Sequence, residues 1–244
     1  MGARPLSGLS LPPMPSWPVV RRRLVVAGGV IAVLLAAYML WFRNSSFVAV
    51  ERVEVIGAEA APQVAAALNA EAGSMTTLHV DDDALRAAVA DDPAVLSLST
   101  DADFPHGLTI TVDLRRPAGY LDADGGTIVA GDGVVLATGA ERPDGLPTIE
   151  AEATSTGAKV DGPALVAART LGAAPAALLA QTESSGVDPE HGPVVTLDGG
   201  IELRFGDPSK ADQKWRSAAA VLADPELDGA SYIDLSVPSR PVSG

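Results

Sequence analysis

The sequence predicts an α+β protein with one N-terminal transmembrane helix, then a β-α-α-β-β unit and a mostly antiparallel β domain with flanking helices. Two observations lead to this prediction. Residues 24–42 contain no charged side chain, and later apolar residues alternate or recur at helical spacing between Gly, Pro and Asp turn residues. Because 47% of the 244 residues are hydrophobic, the chain can also form folded cores.

The uncharged run Leu24–Phe42 has the length of a membrane anchor. At about 1.5 Å per residue, such a helix nearly crosses a hydrocarbon core of about 30 Å. Arg21, Arg22 and Arg23 precede the run and aromatic residues gather at its far end, which places the N terminus in the cytoplasm. A cleavable signal peptide would have a shorter apolar region followed by small residues. A retained single-pass type II anchor is therefore favoured, with residues 1–23 as a short cytoplasmic tail, disordered over its Pro-rich first 20 residues.

Charge is distributed unevenly along the chain. All 31 acidic residues lie after position 43, together with 12 of the 17 basic residues, so the exported part carries about −19. Such a surface repels nucleic acid and anionic lipid, and it excludes a DNA- or RNA-binding function. The absence of cysteine excludes disulfides, thiol nucleophiles and cysteine-ligated metals.

The first half of the exported part predicts a β-α-α-β-β unit. The elements are a strand at Phe47–Ile56, a helix at Pro62–Ala72, a short helix capped by one of the aspartates 81–83, a strand at Ala94–Thr100 and a strand at Leu108–Arg116. The last strand alternates apolar and polar residues, so one face must be buried. Nine residues are expected to be largely buried: Val53, Val55, Leu68, Leu85, Val95, Leu108, Ile110, Val112 and Leu114.

The second half predicts short strands and three longer elements. Asp-Gly turns separate short β segments between 119 and 139, as in a meander. The longer elements are an Ala/Leu helix at Pro163–Gln181, weakened by Gly172 and Pro175, a hairpin at 193–206 and a helix from Asp207 to about Ala223. A final strand is predicted at Ser231–Val237.

No motif in the sequence predicts catalysis, a cofactor or a metal. A calcium loop starting at Asp122 would need Gly at its sixth position and Glu at its twelfth, where Thr127 and Gly133 stand. His79, His106 and His191 lack metal-ligand spacing. The TESSG segment at 182–186 is interpreted as a loop. We therefore expect no catalytic residue, no cofactor, no metal and no enzymatic activity.

Four stretches, in the same order, resemble the FtsQ/DivIB family of bacterial cell-division proteins. They are residues 47–68, 91–121, 125–136 and 199–222 followed by YIDLSVPSRP, and Lys214 stands at the family's lysine position. The resemblance covers nearly all of residues 24–241. It implies a polypeptide-transport-associated (POTRA) domain at 44–116 and an FtsQ/DivIB-type β domain at 117–241.

The resemblance also implies a function. It implies a non-enzymatic scaffold in the cell membrane at the division septum, which links early and late division proteins. Its partners would be small bitopic coiled-coil proteins of the FtsB/DivIC and FtsL type, and the complex would help control septal peptidoglycan synthases. Two alternatives remain: an extracytoplasmic sensor or transport-type POTRA protein, and a wall-acting enzyme. Transport-type chains usually carry several POTRA units or a barrel, and an enzyme would need a site that the motifs do not indicate.

The final strand is the candidate partner-binding site. Because it lies close to the end of the sequence, we expect it at a sheet edge, where it can accept a partner strand by β-augmentation. The residues predicted to bind are Tyr232, Ile233, Asp234, Leu235, Ser236 and Val237. Pro238 and Pro241 lack an N–H group and would limit the length of the pairing.

Overall fold

The computed structural model describes residues 17–40, 45–123, 125–151, 155–156, 158–224 and 229–244. Its first element is the helix α1, Trp17–Leu40, so a helix begins inside the predicted disordered tail, with Pro18 in the first turn, where it is tolerated. The side chains of residues 21–38 are exposed. Within these ranges, no helix combines the length and the apolar character needed to cross a membrane. The predicted span Leu24–Phe42 includes Trp41 and Phe42, which lie outside the described residues, and it stays a prediction.

The N-terminal sheet has three strands and carries two helices. Its elements are β1 (Arg52–Ile56), α2 (Pro62–Ala72), α3 (Asp82–Ala88), β2 (Val95–Asp103) and β3 (Gly107–Leu114). β3 lies at the centre, parallel to β1 and antiparallel to β2. The predicted β-α-α-β-β order is therefore observed, and the strand that comes last in the chain is the middle strand of the sheet.

One apolar core joins the two helices to this sheet. Of the nine residues expected in it, Leu68, Leu85, Leu108, Ile110 and Val112 are buried. The other four, Val53, Val55, Val95 and Leu114, are partly buried and pack against the same cluster. Three of these four lie on β1 and β2, the edge strands of the sheet, where a neighbouring strand covers only one side. Asp81 caps α3 as predicted, because its Oδ1 accepts the N–H groups of Asp83 and Ala84.

The first strand is shorter than the predicted strand at Phe47–Ile56. Residues Ser46–Val48 form a 3-10 turn, and β1 begins only at Arg52. The Val50 N–H donates to the Met75 carbonyl at 3.1 Å, so this segment pairs with the loop after α2 instead of extending the strand. The side chains of Val48 and Val50 are both buried in this arrangement.

The C-terminal sheet contains nine strands in the described part of the chain. Their order is β14-β13-β12-β11-β10-β7-β4-β5-β6, and most neighbours are antiparallel. The strands are β4 (Pro117–Leu121), β5 (Thr127–Ala130), β6 (Val135–Thr138), β7 (Thr148–Glu150), β10 (Thr182–Asp188), β11 (Gly192–Leu197), β12 (Glu202–Arg204), β13 (Tyr232–Asp234) and β14 (Val242–Ser243). A separate pair is formed by β8 (Ser155–Thr156) and β9 (Lys159–Val160), and the helices are α4 (Gly162–Gly172), α5 (Ala176–Leu179) and α6 (Ala211–Leu222).

The structure corrects three sequence interpretations of elements in this half of the chain. The TESSG segment is not a loop: it lies in β10, in the middle of the sheet, and the Oγ of buried Ser185 donates to the Val194 carbonyl at 3.2 Å. The predicted helix Pro163–Gln181 is divided into α4 and α5, because Pro175 cannot continue a helix interior. The last helix begins at Ala211 and not at Asp207.

Close packing of α4 fixes it against the sheet. A Cβ added to Gly172, the last residue of α4, would lie 2.5 Å from the Gly131 Cα atom in the β5–β6 turn. Neither position therefore accepts a side chain. The indole N–H of buried Trp215 in α6 donates to the Thr170 carbonyl of α4 at 2.7 Å. The two helices thus share one core with the nine-stranded sheet.

The guanidinium of Arg115 links the two sheets. Arg115 lies between β3 and β4; its Nε donates to the Asp132 carboxylate at 2.8 Å, and its Nη1 donates to the carbonyls of Pro93, at 2.9 Å, and of Val95. Asp132 belongs to the C-terminal sheet, whereas the two carbonyls lie at the start of β2. Burial opposes ionisation of Asp132, but hydrogen bonds from Arg115 and from the Val134 N–H hold its pKa below the ordinary value of 3.8.

We expect Arg115→Met to lower the free energy of unfolding by about 1–3 kcal/mol, because two carbonyls and a carboxylate lose a charged donor. Arg116→Met is the matched control: the neighbouring arginine is exposed, and its replacement should change stability by less than about 0.5 kcal/mol. Denaturant unfolding of the full chain in detergent measures both variants. Equal effects of the two substitutions would contradict the role of Arg115 as a link.

Candidate partner-binding edge

The C-terminal end of the large sheet is built by a hairpin followed by a helical crossover. Gly199 and Gly200 have φ values of +96° and +87°, which the tight turn between β11 and β12 requires. β13 then pairs parallel to β12. Parallel neighbours need a long crossover connection, and α6 supplies it. The position of β13 therefore depends on how α6 packs.

Two adjacent residues of α6 anchor this crossover. The Trp215 ring is buried and packs against Phe205, with the ring centroids 5.3 Å apart. The Nζ of Lys214, also buried, donates to the carbonyl of Phe205 at 2.7 Å and to that of Asp207. Burial lowers the pKa of Lys214, while the neighbouring Asp207 carboxylate opposes the shift. Lys214 thus fixes the chain immediately after β12.

β13 is not the edge strand that the sequence predicted. The chain reverses after Val237, where the Arg240 N–H donates to the Val237 carbonyl at 2.9 Å, and returns as β14 on the outer side of β13. β14 pairs Val242 with Asp234 and Ser243 with Ile233. Two residues give no recognisable periodicity, so the sequence pattern could not indicate this strand.

The register determines which backbone groups face outward. Tyr232 and Gly244 exchange both of their N–H···O bonds, at 3.0 and 3.2 Å. Because bonded and non-bonded pairs alternate in an antiparallel ladder, the N–H and C=O of Ser243 point away from β13. Pro241 has no N–H to offer. The outer edge of β14 therefore presents few pairing groups, whereas those of Tyr232 and Asp234 are covered by β14.

The two faces of this edge differ. Leu203, Ile233 and Leu235 are buried in the core. On the opposite face, the Arg204 guanidinium lies 4.2 Å from the centroid of the Tyr232 ring and pairs with Glu202 at 2.9 Å. The ion pair is partly exposed, so it contributes less than about 1 kcal/mol. The face is polar and the strands are held mainly by backbone pairing and by the core beneath.

Only half of the six predicted residues lie in the strand. Tyr232, Ile233 and Asp234 form β13. The Leu235 N–H still bonds to the Arg204 carbonyl of β12, at 2.8 Å. The Ser236 N–H donates to the Asp234 carboxylate at 2.8 Å, so it takes no part in a ladder. Ser236 and Val237 are exposed in the turn that leads to β14.

The arrangement offers backbone groups for strand pairing. In the described ranges, no group of three His, Cys, Asp or Glu residues is placed to hold a metal ion. His106 and His191 lie in the predicted turn and loop: the His106 Nδ1 lies 3.0 Å from the Ala49 carbonyl, and the His191 N–H donates to the Asp188 carboxylate. Both histidines thus have structural contacts within the chain.

Comparison with known proteins identifies similar sequences. The family model described as "Cell division protein FtsQ/DivIB, C-terminal" matches residues 119–236, which include β13 but not β14. A curated protein from Streptomyces collinus, "Cell division protein FtsQ", is 29% identical over 247 residues, which cover 95% of this chain and 92% of that protein. The second match therefore extends over the N-terminal sheet as well.

Acid should weaken the turn after β13. Hydrogen bonds from the Ser236 side chain and N–H hold the pKa of Asp234 below its ordinary value of 3.8. Because this folded-state pKa is lowered, its stabilisation is complete above about pH 4 and is lost as the pH falls through the folded-state value. Asp234→Ala should therefore destabilise the protein less at about pH 3 than at pH 7. Urea unfolding at both pH values measures this, and an equal effect at both would contradict it.

Proposed function

Because the chain belongs to the FtsQ/DivIB family of cell-division proteins, we propose that it is a membrane-anchored, non-enzymatic division scaffold. In this proposal it links early and late division proteins at the septum. It binds small bitopic coiled-coil partners of the FtsB/DivIC and FtsL type, and through them it controls septal peptidoglycan synthases.

Membrane anchoring is assigned to Leu24–Phe42. The support is the uncharged length of this run, the three arginines before it and the exposed apolar side chains along α1, such as Leu24 and Val33. The N terminus lies in the cytoplasm, and both sheets are extracytoplasmic. The N-terminal sheet with α2 and α3 corresponds to the POTRA domain over 44–116, and the C-terminal sheet to the β domain over 117–241.

The partner strand is assigned to the outer side of β13. The observation that carries this assignment is that, in the described part of the chain, this side of β13 is paired by a short segment of three residues, Val242, Ser243 and Gly244. All three are exposed, so this segment buries little that would hold it in place. A partner strand that takes the place of β14 would pair with the inner N–H and C=O groups of Tyr232 and Asp234. A longer strand would form more backbone bonds there than β14 does.

Deletion of residues 240–244 tests the assignment. The deletion removes the competing strand, in which Gly244 alone makes three backbone hydrogen bonds to Ser231 and Tyr232. At a net of about 1 kcal/mol for each bond, affinity for the partner should rise by about 100-fold. The measurement is titration with the isolated extracytoplasmic segment of an FtsB/DivIC-type partner. Reduced affinity would indicate that the partner pairs with β14 itself. Unchanged affinity would indicate that the partner binds at another surface.

A proline substitution at position 243 gives an independent test. The Ser243 N–H faces away from β13, so Ser243→Pro should leave partner affinity within about twofold if the partner displaces β14. Ser243→Ala, which keeps the N–H, is the matched control. Loss of affinity in the proline variant alone would show that the partner adds to the outer edge of β14.

The anchor should be replaceable. We expect that an unrelated apolar helix of equal length in place of Leu24–Phe42 leaves the exported part folded and partner affinity within about twofold, because apolar side chains on α1 such as Val25 and Ile31 are exposed. Circular dichroism and the same titration measure this. Lost binding in a folded variant would make the anchor a recognition element.

A further inference from the structure

Two phenylalanine side chains are exposed at one end of the N-terminal sheet. Phe47 is 66% exposed and Phe104 is 62% exposed. β1 and β3 run parallel, with Arg52 opposite Gly107. The segments that precede these two strands, which carry Phe47 and Phe104, therefore leave the sheet at the same end. We refer to this pair of residues as the phenylalanine rim.

Hydrogen bonds hold the two segments of the rim together. The hydroxyl of buried Thr77 lies 2.9 Å from the Pro105 carbonyl and 3.3 Å from that of Val48. The Thr77 N–H also donates to the Val48 carbonyl at 2.8 Å. From the other side, the His106 carbonyl accepts the Glu51 N–H at 2.9 Å. The rim is pre-organised, so docking it on a surface orders little additional chain.

The rim lies at the end of the sheet where the chain arrives from the proposed anchor. The opposite end of β3 leads through Arg115 to Pro117 and the C-terminal sheet. In sequence, Phe47 follows Phe42 by five residues, a distance of at most about 17 Å for an extended chain. When Leu24–Phe42 spans the bilayer, the rim must therefore stay close to the membrane surface.

We propose that the phenylalanine rim inserts into the boundary between headgroups and acyl chains and seats the N-terminal sheet on the membrane. The inference rests on the proposed anchor. Transfer of exposed aromatic area from water into this boundary is favourable, as in helices that lie in the membrane interface. Asp101 and Asp103 lie in β2 at the same end of the sheet. Because their carboxylates repel anionic headgroups, we propose that the rim binds a zwitterionic membrane surface.

The chain has no cysteine, so single cysteines can carry a fluorescent label at chosen positions. The full chain is reconstituted in phosphatidylcholine nanodiscs with an environment-sensitive fluorophore, and emission is quenched by a spin-labelled lipid. Phe104→Cys is the deciding variant, because Phe47 is tethered near the bilayer by the chain itself. Val187→Cys is the matched control, since this exposed apolar residue lies on β10 of the C-terminal sheet. Ile31→Cys reports on the anchor.

We expect lipid quenching to remove most of the emission at position 104 together with a blue shift, and to leave position 187 unchanged. Equal, weak quenching at 104 and 187 with strong quenching at 31 would contradict membrane insertion of the rim but not the proposed anchor. The same result is expected if a protein partner covers the rim, so that outcome also contradicts insertion. Weak quenching at 31 and 104 would overturn the anchor and the rim together. Circular dichroism of each variant verifies folding.

Discussion

The guanidinium of Arg115 fixes one sheet relative to the other. Only Arg115 and Arg116 separate β3 from β4, so a single extended segment passes from the centre of the small sheet into the large one. Bonds from Arg115 to Asp132 on one side and to the Pro93 carbonyl on the other prevent this segment from acting as a free hinge. In the large sheet, β13 lies five strands from β4, or about 24 Å. The bonds of Arg115 therefore hold the candidate partner-binding edge at a defined distance from the small sheet.

Several acidic residues of this fold form turns or helix caps. Among the described residues, six aspartates accept the backbone N–H two residues further along the chain: Asp81, Asp92, Asp132, Asp188, Asp207 and Asp234. For Asp132, Asp188, Asp207 and Asp234 the pKa lies below its ordinary value, since hydrogen bonds to a carboxylate favour its charged form. Asp-containing turns thus account for part of the acidic composition. Asp132, in the Gly-Asp-Gly segment at 131–133, shows this local geometry, because its carboxylate accepts the Val134 N–H.

Helix bounds and caps could be predicted from the sequence, whereas the order of strands within the large sheet could not. α2 has the predicted bounds, and Asp81 caps α3, because a proline start, a helical period and a capping aspartate act within a few residues. β10 was missed because serines give little strand character, although burial against the core selects small side chains there. The predicted edge position of β13 is wrong. A strand near this end of the chain lies at the edge only if the residues about eight positions later do not fold back and pair with it. Whether they do depends on the turn after Val237 and on pairing over Val242–Gly244, a segment too short to show a periodicity.

In the proposed function, the edge at β13 must be protected from nonspecific strand pairing and still be accessible to the partner strand. A long, free β13 would present the N–H and C=O groups of Tyr232 and Asp234 to any extended chain, which promotes association. β14 covers these groups, and its own outer side presents the N–H and C=O of Ser243, two residues after Pro241, which has no N–H to donate. In the proposed function, this short strand prevents indiscriminate pairing but yields to a partner that offers more backbone bonds. Selectivity then comes from strand length and from the polar face of Arg204 and Tyr232, while the core residues Leu203 and Ile233 keep β13 in place whichever strand is its outer neighbour.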